Sequence, residues 1–435
     1  MKRQLLVVFG VAALAGGCGD MAQLADNDTY GPAPKLGVAQ RALIPTVNVA
    51  QAQGWPAGGQ PRPAAGWKVT AFASGLDHPR WLYVLPNGDV LVAESNKPQP
   101  TQQQEQHGVR AFFMKLMMKK AGAGVPSADR ITLLRDADGD GVADTRTVLI
   151  DKLHSPFGIA LVGGELFIAN ADAIVKVPFR PGQTRIDAQP VQVTDLPAGI
   201  NHHWTKNILA SRDGTKLYAT MGSNSNVGEN GLEAEDGRAA IWEVDVASGS
   251  KRLFASGLRN PNGLGWEPTT NALWTVVNER DELGSDLVPD YLTSVEPGAF
   301  YGWPWSYWGQ HVDTRLSPNP QKVASARMPD YALGNHVAPL GLAFSTAQLP
   351  APFAAGAFIG EHGSWNRKPF SGYKVVFVPF DAGRPKGLPV DFLAGFLSPD
   401  GKAWGRPVGV ALDARGGVLV ADDVGNVIWR VAPAR

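Results

Sequence analysis

A turn carrying Pro or Gly, an apolar strand, a Gly turn and a second apolar strand recur along most of the sequence. One copy is His78-Pro79-Arg80-Trp81-Leu82 followed by Val90-Leu91-Val92-Ala93, and another is Ser155-Pro156-Phe157-Gly158 followed by Leu166-Phe167-Ile168-Ala169. The others begin at Asn207-Ile208-Leu209-Ala210, Asn260-Pro261-Asn262-Gly263, Ala338-Pro339-Leu340-Gly341 and Arg406-Pro407-Val408-Gly409. A strand-only unit repeated at this interval cannot bury both faces alone, and radial packing of such sheets is the standard solution. Six copies therefore predict an all-β fold, a six-bladed β-propeller spanning 66–435. The run Trp67-Lys68-Val69-Thr70-Ala71-Phe72 is expected to close the ring as the outer strand of the sheet that ends at Ile428-Trp429-Arg430-Val431. A two-domain β protein is the alternative. The 50 Gly and 34 Pro agree with many turns, because Gly supplies positive φ and Pro cannot donate to a ladder.

The two ends of the charge and hydropathy scale narrow the function. Forty basic residues balance forty acidic ones, so nothing points to a polyanionic partner such as nucleic acid. Lys2 and Arg3 precede an apolar run, Leu5 to Ala15, that is too short to span a bilayer and reads as an export signal over 1–17. The single cysteine follows in Leu14-Ala15-Gly16-Gly17-Cys18, which resembles a bacterial lipoprotein box with Cys18 as the acylated residue. An ordinary signal peptide that happens to contain a Cys is the competing reading. Acylation would leave no thiol for disulfides, thiolate catalysis or Cys-ligated metals. The expectation is an exported, periplasmic, lipid-anchored protein, with outer-membrane attachment preferred because Gly19 follows the cysteine. Residues 18–65 are rich in Ala, Gly, Pro and Gln without periodicity and are expected to form a flexible tether. Val109 to Lys120 reads as a short basic amphipathic helix inserted in the first blade.

In a propeller the inner strands point their ends into a central channel, so chemistry is expected from equivalent ends of several blades. The polar residues placed there are Asn201-His202-His203-Trp204-Thr205-Lys206, Gly257-Leu258-Arg259-Asn260, Asn278-Glu279-Arg280-Asp281-Glu282, Gly363-Ser364-Trp365-Asn366-Arg367-Lys368 and Trp404-Gly405-Arg406. Several arginines around one histidine pair, in an otherwise neutral chain, fit an anionic ligand held by bidentate contacts.

The strings Gly257-Leu258-Arg259-Asn260-Pro261-Asn262-Gly263, Asn278-Glu279-Arg280-Asp281-Glu282, Tyr301-Gly302-Trp303-Pro304 and Gly363-Ser364-Trp365-Asn366-Arg367 carry a resemblance. They resemble the sorbosone dehydrogenase branch of the soluble glucose and aldose sugar dehydrogenases that use pyrroloquinoline quinone. The resemblance runs from about Trp67 to Val431. It implies oxidation of an aldose or sugar aldehyde by hydride transfer to the quinone, with an external quinone or cytochrome as electron acceptor. It implies that His203 is the general base, because the spacing to Asp213-Gly214 matches the family's catalytic histidine. It places Arg259 and Asn260 against the quinone, with Arg259 stabilising the arriving negative charge, and gives the cofactor's carboxylates to Arg367, or its neighbour Lys368, and Arg406. It also implies Ca2+ on backbone carbonyls of the loop containing Arg280 and Asp281, where family members often show Gly-Pro instead.

Two other functions compete. A calcium-dependent hydrolase of the lactonase type would draw its ligands from Glu94, Asn260 and Asp422, and a non-catalytic binding propeller would need neither His203 nor a cofactor. Separately, Asp136-Ala137-Asp138-Gly139-Asp140-Gly141-Val142-Ala143-Asp144 resembles an EF-hand loop, with Thr147 where the bidentate Glu belongs. An acidic turn without metal explains that loop equally well.

Overall fold

The computed structural model describes residues 20–40, 46–99 and 116–434. Its described strands build six antiparallel sheets arranged in a ring, a six-bladed β-propeller. Blade one comprises Pro79–Val84, Val90–Glu94, Arg130–Arg135 and Thr145–Ile150, and blade two Ile159–Val162, Glu165–Ala169, Ala173–Pro178 and Val191–Asp195. Blade three comprises Ile208–Ala210, Lys216–Met221, Ala240–Asp245 and Lys251–Ser256, and blade four Asn260–Trp266, Leu273–Asn278, Pro289–Val295 and Tyr331–Asn335. Blade five comprises Pro339–Phe344, Gly356–Glu361, Lys374–Asp381 and Val390–Ala394. Blade six takes Pro407–Leu412, Val418–Asp422 and Val427–Pro433 from the end of the chain and its outer strand, Trp67–Ser74, from the beginning. The closing pair runs from Val427 opposite Ser74 to Pro433 opposite Trp67, as the sequence leads one to expect.

The Pro-x-Gly element of the repeat has a steric cause. The first strand of each blade lines the axis against the first strand of the next. Where the motif carries Gly, a Cβ would collide with the neighbouring backbone: Gly158 with Asn207 and Ile208, Gly263 with Leu340 and Leu342, Gly341 with Val408 and Val410, Gly409 with Arg80 and Leu82. Ladder register shifts at Pro261/Leu264, Pro339/Gly341 and Pro407/Val410 mark the bulge that turns each strand end toward the channel. Between blades the cores are aliphatic and aromatic, for example Phe358, Phe377, Phe392 and Phe396 in blade five and Trp81, Phe157 and Trp204 near the axis.

One expectation changes here. Residues 20–40 and 46–65 pack against the propeller instead of trailing as a tether. Tyr30–Gly31 adds a fifth strand to blade four, and Arg62–Pro63 pairs with Val390–Ala394 of blade five. The Ala22 amide donates to Lys368 O, the Asn48 amide to Trp365 O and the Gln53 amide to Ala403 O, while Trp55 Nε1 donates to Asp422 Oδ2 at 2.7 Å. A segment that bonds through its backbone leaves no side-chain periodicity to read. Of the inserted helix, residues 116–120 are helical with Leu116 and Met118 exposed, and the rest lies outside the described residues, as does Cys18. Among the described residues no helix is long and apolar enough to cross a membrane.

Candidate functional site at the channel mouth

The ends of the second strands and the starts of the first strands meet on one face of the ring, and three blades bring His203, Arg259 and Arg406 there. Asn201, at φ +49°, starts the loop that carries His203 into the last turn before blade three. Two buried cations pin that loop by its oxygens. Lys206 Nζ donates to Asn201 Oδ1 at 2.9 Å and Trp204 O at 3.1 Å, and Arg238 donates to Asn201 Oδ1 at 3.0 Å and His203 O at 2.9 Å.

His203 Nδ1 lies 2.8 Å from Ser223 O and 3.1 Å from Ser223 Oγ. A carbonyl oxygen only accepts, so Nδ1 carries the proton and Nε2 the lone pair. Burial, the Arg259 cation and neighbouring His202 hold the imidazole well below its usual pKa, so it is neutral at neutral pH. Ser223 also couples His203 to Arg259, because its amide donates to Arg259 O at 2.8 Å. Gly222 is required between them: any Cβ there would collide with both Asn260 Oδ1 and His203 Cβ. The Asn260 amide oxygen is buried without a hydrogen-bond partner among the described residues.

Arg259 is 4% exposed and all three of its guanidinium nitrogens are engaged. Nε donates to Asn226 O at 3.3 Å, Nη1 to Glu279 O at 2.6 Å, and Nη2 to Asn226 Oδ1 at 3.1 Å and Asp281 Oδ2 at 3.0 Å. It offers the site a fixed charge and a planar face and no spare hydrogen bond. Arg406 differs. Its Nη2 donates to the Tyr373 hydroxyl at 3.1 Å, its guanidinium lies 5.1 Å from the Tyr373 ring centre, and its buried Nε has no acceptor among the described residues.

Arg367 does not join this group. Its nitrogens go to Ser285 O (3.1 Å), Pro369 O (3.3 Å) and Asp26 Oδ1 (3.1 Å), so the expected contact with cofactor carboxylates is replaced by a clamp on the N-terminal segment. Lys368 stands half-buried at the same rim, tied by its backbone to Ala22 and Ser285.

The residues that sequence reasoning missed are Arg80, His78, His362 and Asp423. Asp423 pairs with Arg80, and its carboxylate lies 2.9 Å from His362 Nε2 and 3.6 Å from His78 Nε2. Arg80 stacks near Phe157 (5.9 Å) and Trp204 (5.8 Å), and its buried Nε has no acceptor among the described residues. Arg80 is the second residue of its blade's first strand, after Pro79, whereas Arg259 and Arg406 stand directly before theirs, so the pattern that singles those two out passes over it.

Of the two carbonyls expected to hold calcium, that of Asp281 is already taken. The Asp281 carbonyl already accepts from Arg315 Nη1 at 2.8 Å and Asn226 Nδ2 at 3.1 Å, which uses both lone pairs. The Arg280 side chain is fully buried, bonded to Glu279, Asp313, Pro304 O and Ser306 O. Arg80 and Arg406 each carry a buried Nε–H without an acceptor among the described residues.

The acids of the lactonase alternative do not converge. Glu94 is consumed by Arg130, Thr132 and the Asp77 amide, and Asp422 by Trp55, Trp429 and the amides of Arg406 and Gly425. Among the described residues Asp136, Asp138 and Asp144 alone make a group with metal-ligand spacing. Their oxygens accept from loop amides, and Asp136 also from Arg415 at 2.7 Å, so the turn is held together without an ion.

Glu361, at the end of the second strand of blade five, is buried with neither carboxylate oxygen bonded among the described residues. Burial pushes its pKa up to about 8 against an ordinary 4.5. Because the folded value is the higher one, its contribution to stability is full below pH 4.5 and is lost as pH rises through about 8. Glu361→Gln is therefore expected to match the parent in Tm at acid pH and to exceed it increasingly toward pH 8 and above, as differential scanning fluorimetry across that range will read. A constant difference at all pH values would contradict a titrating Glu361.

Comparison with known proteins agrees with this architecture. Residues 86–300 match a domain family described as a domain of unknown function (DUF7133), and residues 321–434 match the TrAA12-like family. An uncharacterized protein of Borreliella burgdorferi is 30% identical over 291 residues, covering 64% of this chain and 76% of that one. The pyrroloquinoline quinone-dependent pyranose dehydrogenase of Coprinopsis cinerea is 24% identical over 369 residues, and the match spans 73% of this chain but 44% of that longer protein. The holo form of its quinone domain superposes with a TM-score of 0.68 at 21% identity, covering 86% of this chain and 97% of that one. A Trichoderma reesei enzyme of carbohydrate-active family AA12 gives 0.69 at 20% identity, covering 90% of this chain and 100% of that one. The chain belongs to the family of the Borreliella protein, and its further homologues and structural neighbours are pyrroloquinoline quinone-dependent sugar dehydrogenases.

Proposed function

We propose that this chain is an oxidoreductase that binds pyrroloquinoline quinone at the channel mouth and oxidises an aldose or a sugar aldehyde of the sorbosone type. The observation that carries this reading is the His203 tautomer. Its Nδ1–H is fixed on Ser223 O, and burial together with the nearby Arg259 charge holds its ring neutral, which leaves the Nε2 lone pair as the base. Nε2 takes the proton from the substrate hydroxyl, with Ser223 O steadying the imidazolium that results. When bound, the quinone supplies the two-electron acceptor. Arg406 and Arg80 hold its carboxylates through the N–H groups that lack partners, and Arg259 acts through its charge. The electrons leave to an external quinone or cytochrome. Export and acylation at Cys18, resting on residues 1–18, complete the reading as a lipid-anchored periplasmic enzyme.

The test is to add pyrroloquinoline quinone to the apo protein and offer a panel of aldoses and aldehyde sugars with a redox dye. Dye reduction that depends on both quinone and sugar is expected. An inert dye across the panel, with hydrolysis of lactones in its place, would reverse the assignment in favour of the hydrolase.

A further inference from the structure

The loop where the family resemblance implies calcium departs from its pattern at two adjacent positions, and the two departures act together. Arg280 replaces a residue without a side chain and sends a fully buried guanidinium to Asp313, with Nη1 3.1 Å from Oδ2. Asp313 in turn fixes Arg315, whose Nε at 3.0 Å, Nη2 at 2.7 Å and backbone amide at 3.0 Å all donate to the Asp313 carboxylate. So held, Arg315 directs its remaining nitrogen, Nη1, at the Asp281 carbonyl, 2.8 Å away.

Asp281, the second departure, turns its carboxylate to Arg259 at 3.0 Å and Asn366 at 2.6 Å. Arg259, Arg280 and Arg315 then face Glu279, Asp281 and Asp313, joined through the Glu279 and Asp281 carbonyls, with His336 Nδ1 a further 3.7 Å from the Asp281 carboxylate. Ca2+ needs six to eight oxygens at about 2.3–2.6 Å. To reach the Asp281 oxygen it would have to displace a guanidinium held by two bonds to a buried acid, which the Arg315 amide also binds, and it would add two positive charges to a cluster that already holds three guanidinium groups.

We propose that Arg315 occupies, at the Asp281 carbonyl, the place that the resemblance gives to calcium, and that cofactor uptake by this chain is consequently independent of Ca2+. The inference rests on the reading of the channel mouth as a site for pyrroloquinoline quinone. It concerns this chain's own residues: a loop cation built from Arg280, Asp313 and Arg315 in place of an exchangeable ion.

The experiment is a tryptophan-fluorescence titration of chelator-stripped apo protein with pyrroloquinoline quinone, in EDTA and in millimolar CaCl2. The parent is expected to bind with the same Kd in both media, within about threefold, well under the tenfold step of about 1.4 kcal/mol. Arg315→Gln frees one lone pair of the carbonyl and leaves Asn226 on the other, so its uptake in EDTA is expected to fall about tenfold and to be restored by Ca2+. That rescue is a response that merely loosened packing does not give. Parent protein that takes up the quinone only when Ca2+ is present would overturn the inference, whatever the variant does. Parent protein that takes up none in either medium would overturn the cofactor reading and this inference with it.

Discussion

His203→Ala is expected to lower kcat by about 10²–10⁴-fold while leaving the affinity for pyrroloquinoline quinone nearly unchanged. The split follows from what the imidazole touches. Nδ1 is spent on Ser223, and the loop around it is held by Lys206 and Arg238 through the Asn201 side chain and the Trp204 and His203 carbonyls, none of which the truncation disturbs. The substrate proton then has no acceptor at Nε2. Stopped-flow reduction of the reconstituted variant, beside a fluorescence titration of quinone uptake, reads the two effects separately. Parental kcat in the variant would remove His203 from the mechanism.

Arg259→Gln is expected to damage stability, uptake and turnover together. Its guanidinium is buried against Asp281, and removing one member of such a pair costs about 3–5 kcal/mol because the other is left uncompensated. A second consequence separates the role of its charge from its role in packing. His203 is held low by burial and then by the Arg259 cation, so the rate falls on the acid side as the imidazole gains its proton. Without Arg259 the imidazolium is less disfavoured, its pKa rises, and the acid limb of the kcat/KM profile moves to higher pH. A variant that is less stable but keeps the parental acid limb would show that Arg259 serves only as a strut.

The ring itself was legible because its cause is local. Each Pro-x-Gly marks a strand end where a neighbour's backbone leaves no room for a Cβ, and the closing strand from Trp67 carries the same apolar run as the strand it meets. Arg259 and Arg406 were singled out for a related reason, since each stands directly before the first strand of its blade, whereas His203 was chosen on the family resemblance. What escaped depends on partners remote in sequence. Arg80 owes its position to Asp423, 343 residues away, and its own strand carries Trp81 where other copies carry Gly. Arg367 was expected to hold a carboxylate and does so, but the acid is Asp26, 341 residues earlier, in a segment whose composition suggested a tether. Arg315 was hidden in a similar way, because a backbone carbonyl accepts any donor and nothing in Arg280-Asp281 announces that Arg315 will reach the Asp281 oxygen.

The account turns on a quinone acid held over the Nε2 face of His203 by Arg406 and Arg80. A crystal structure of the protein loaded with pyrroloquinoline quinone tests this most directly. Cofactor carboxylates on the guanidinium groups of Arg406 and Arg80, with the quinone ring within hydrogen-bonding reach of a hydroxyl seated on His203 Nε2, is the arrangement the account predicts. Cofactor bound away from these arginines, or with His203 turned from it, would contradict the account.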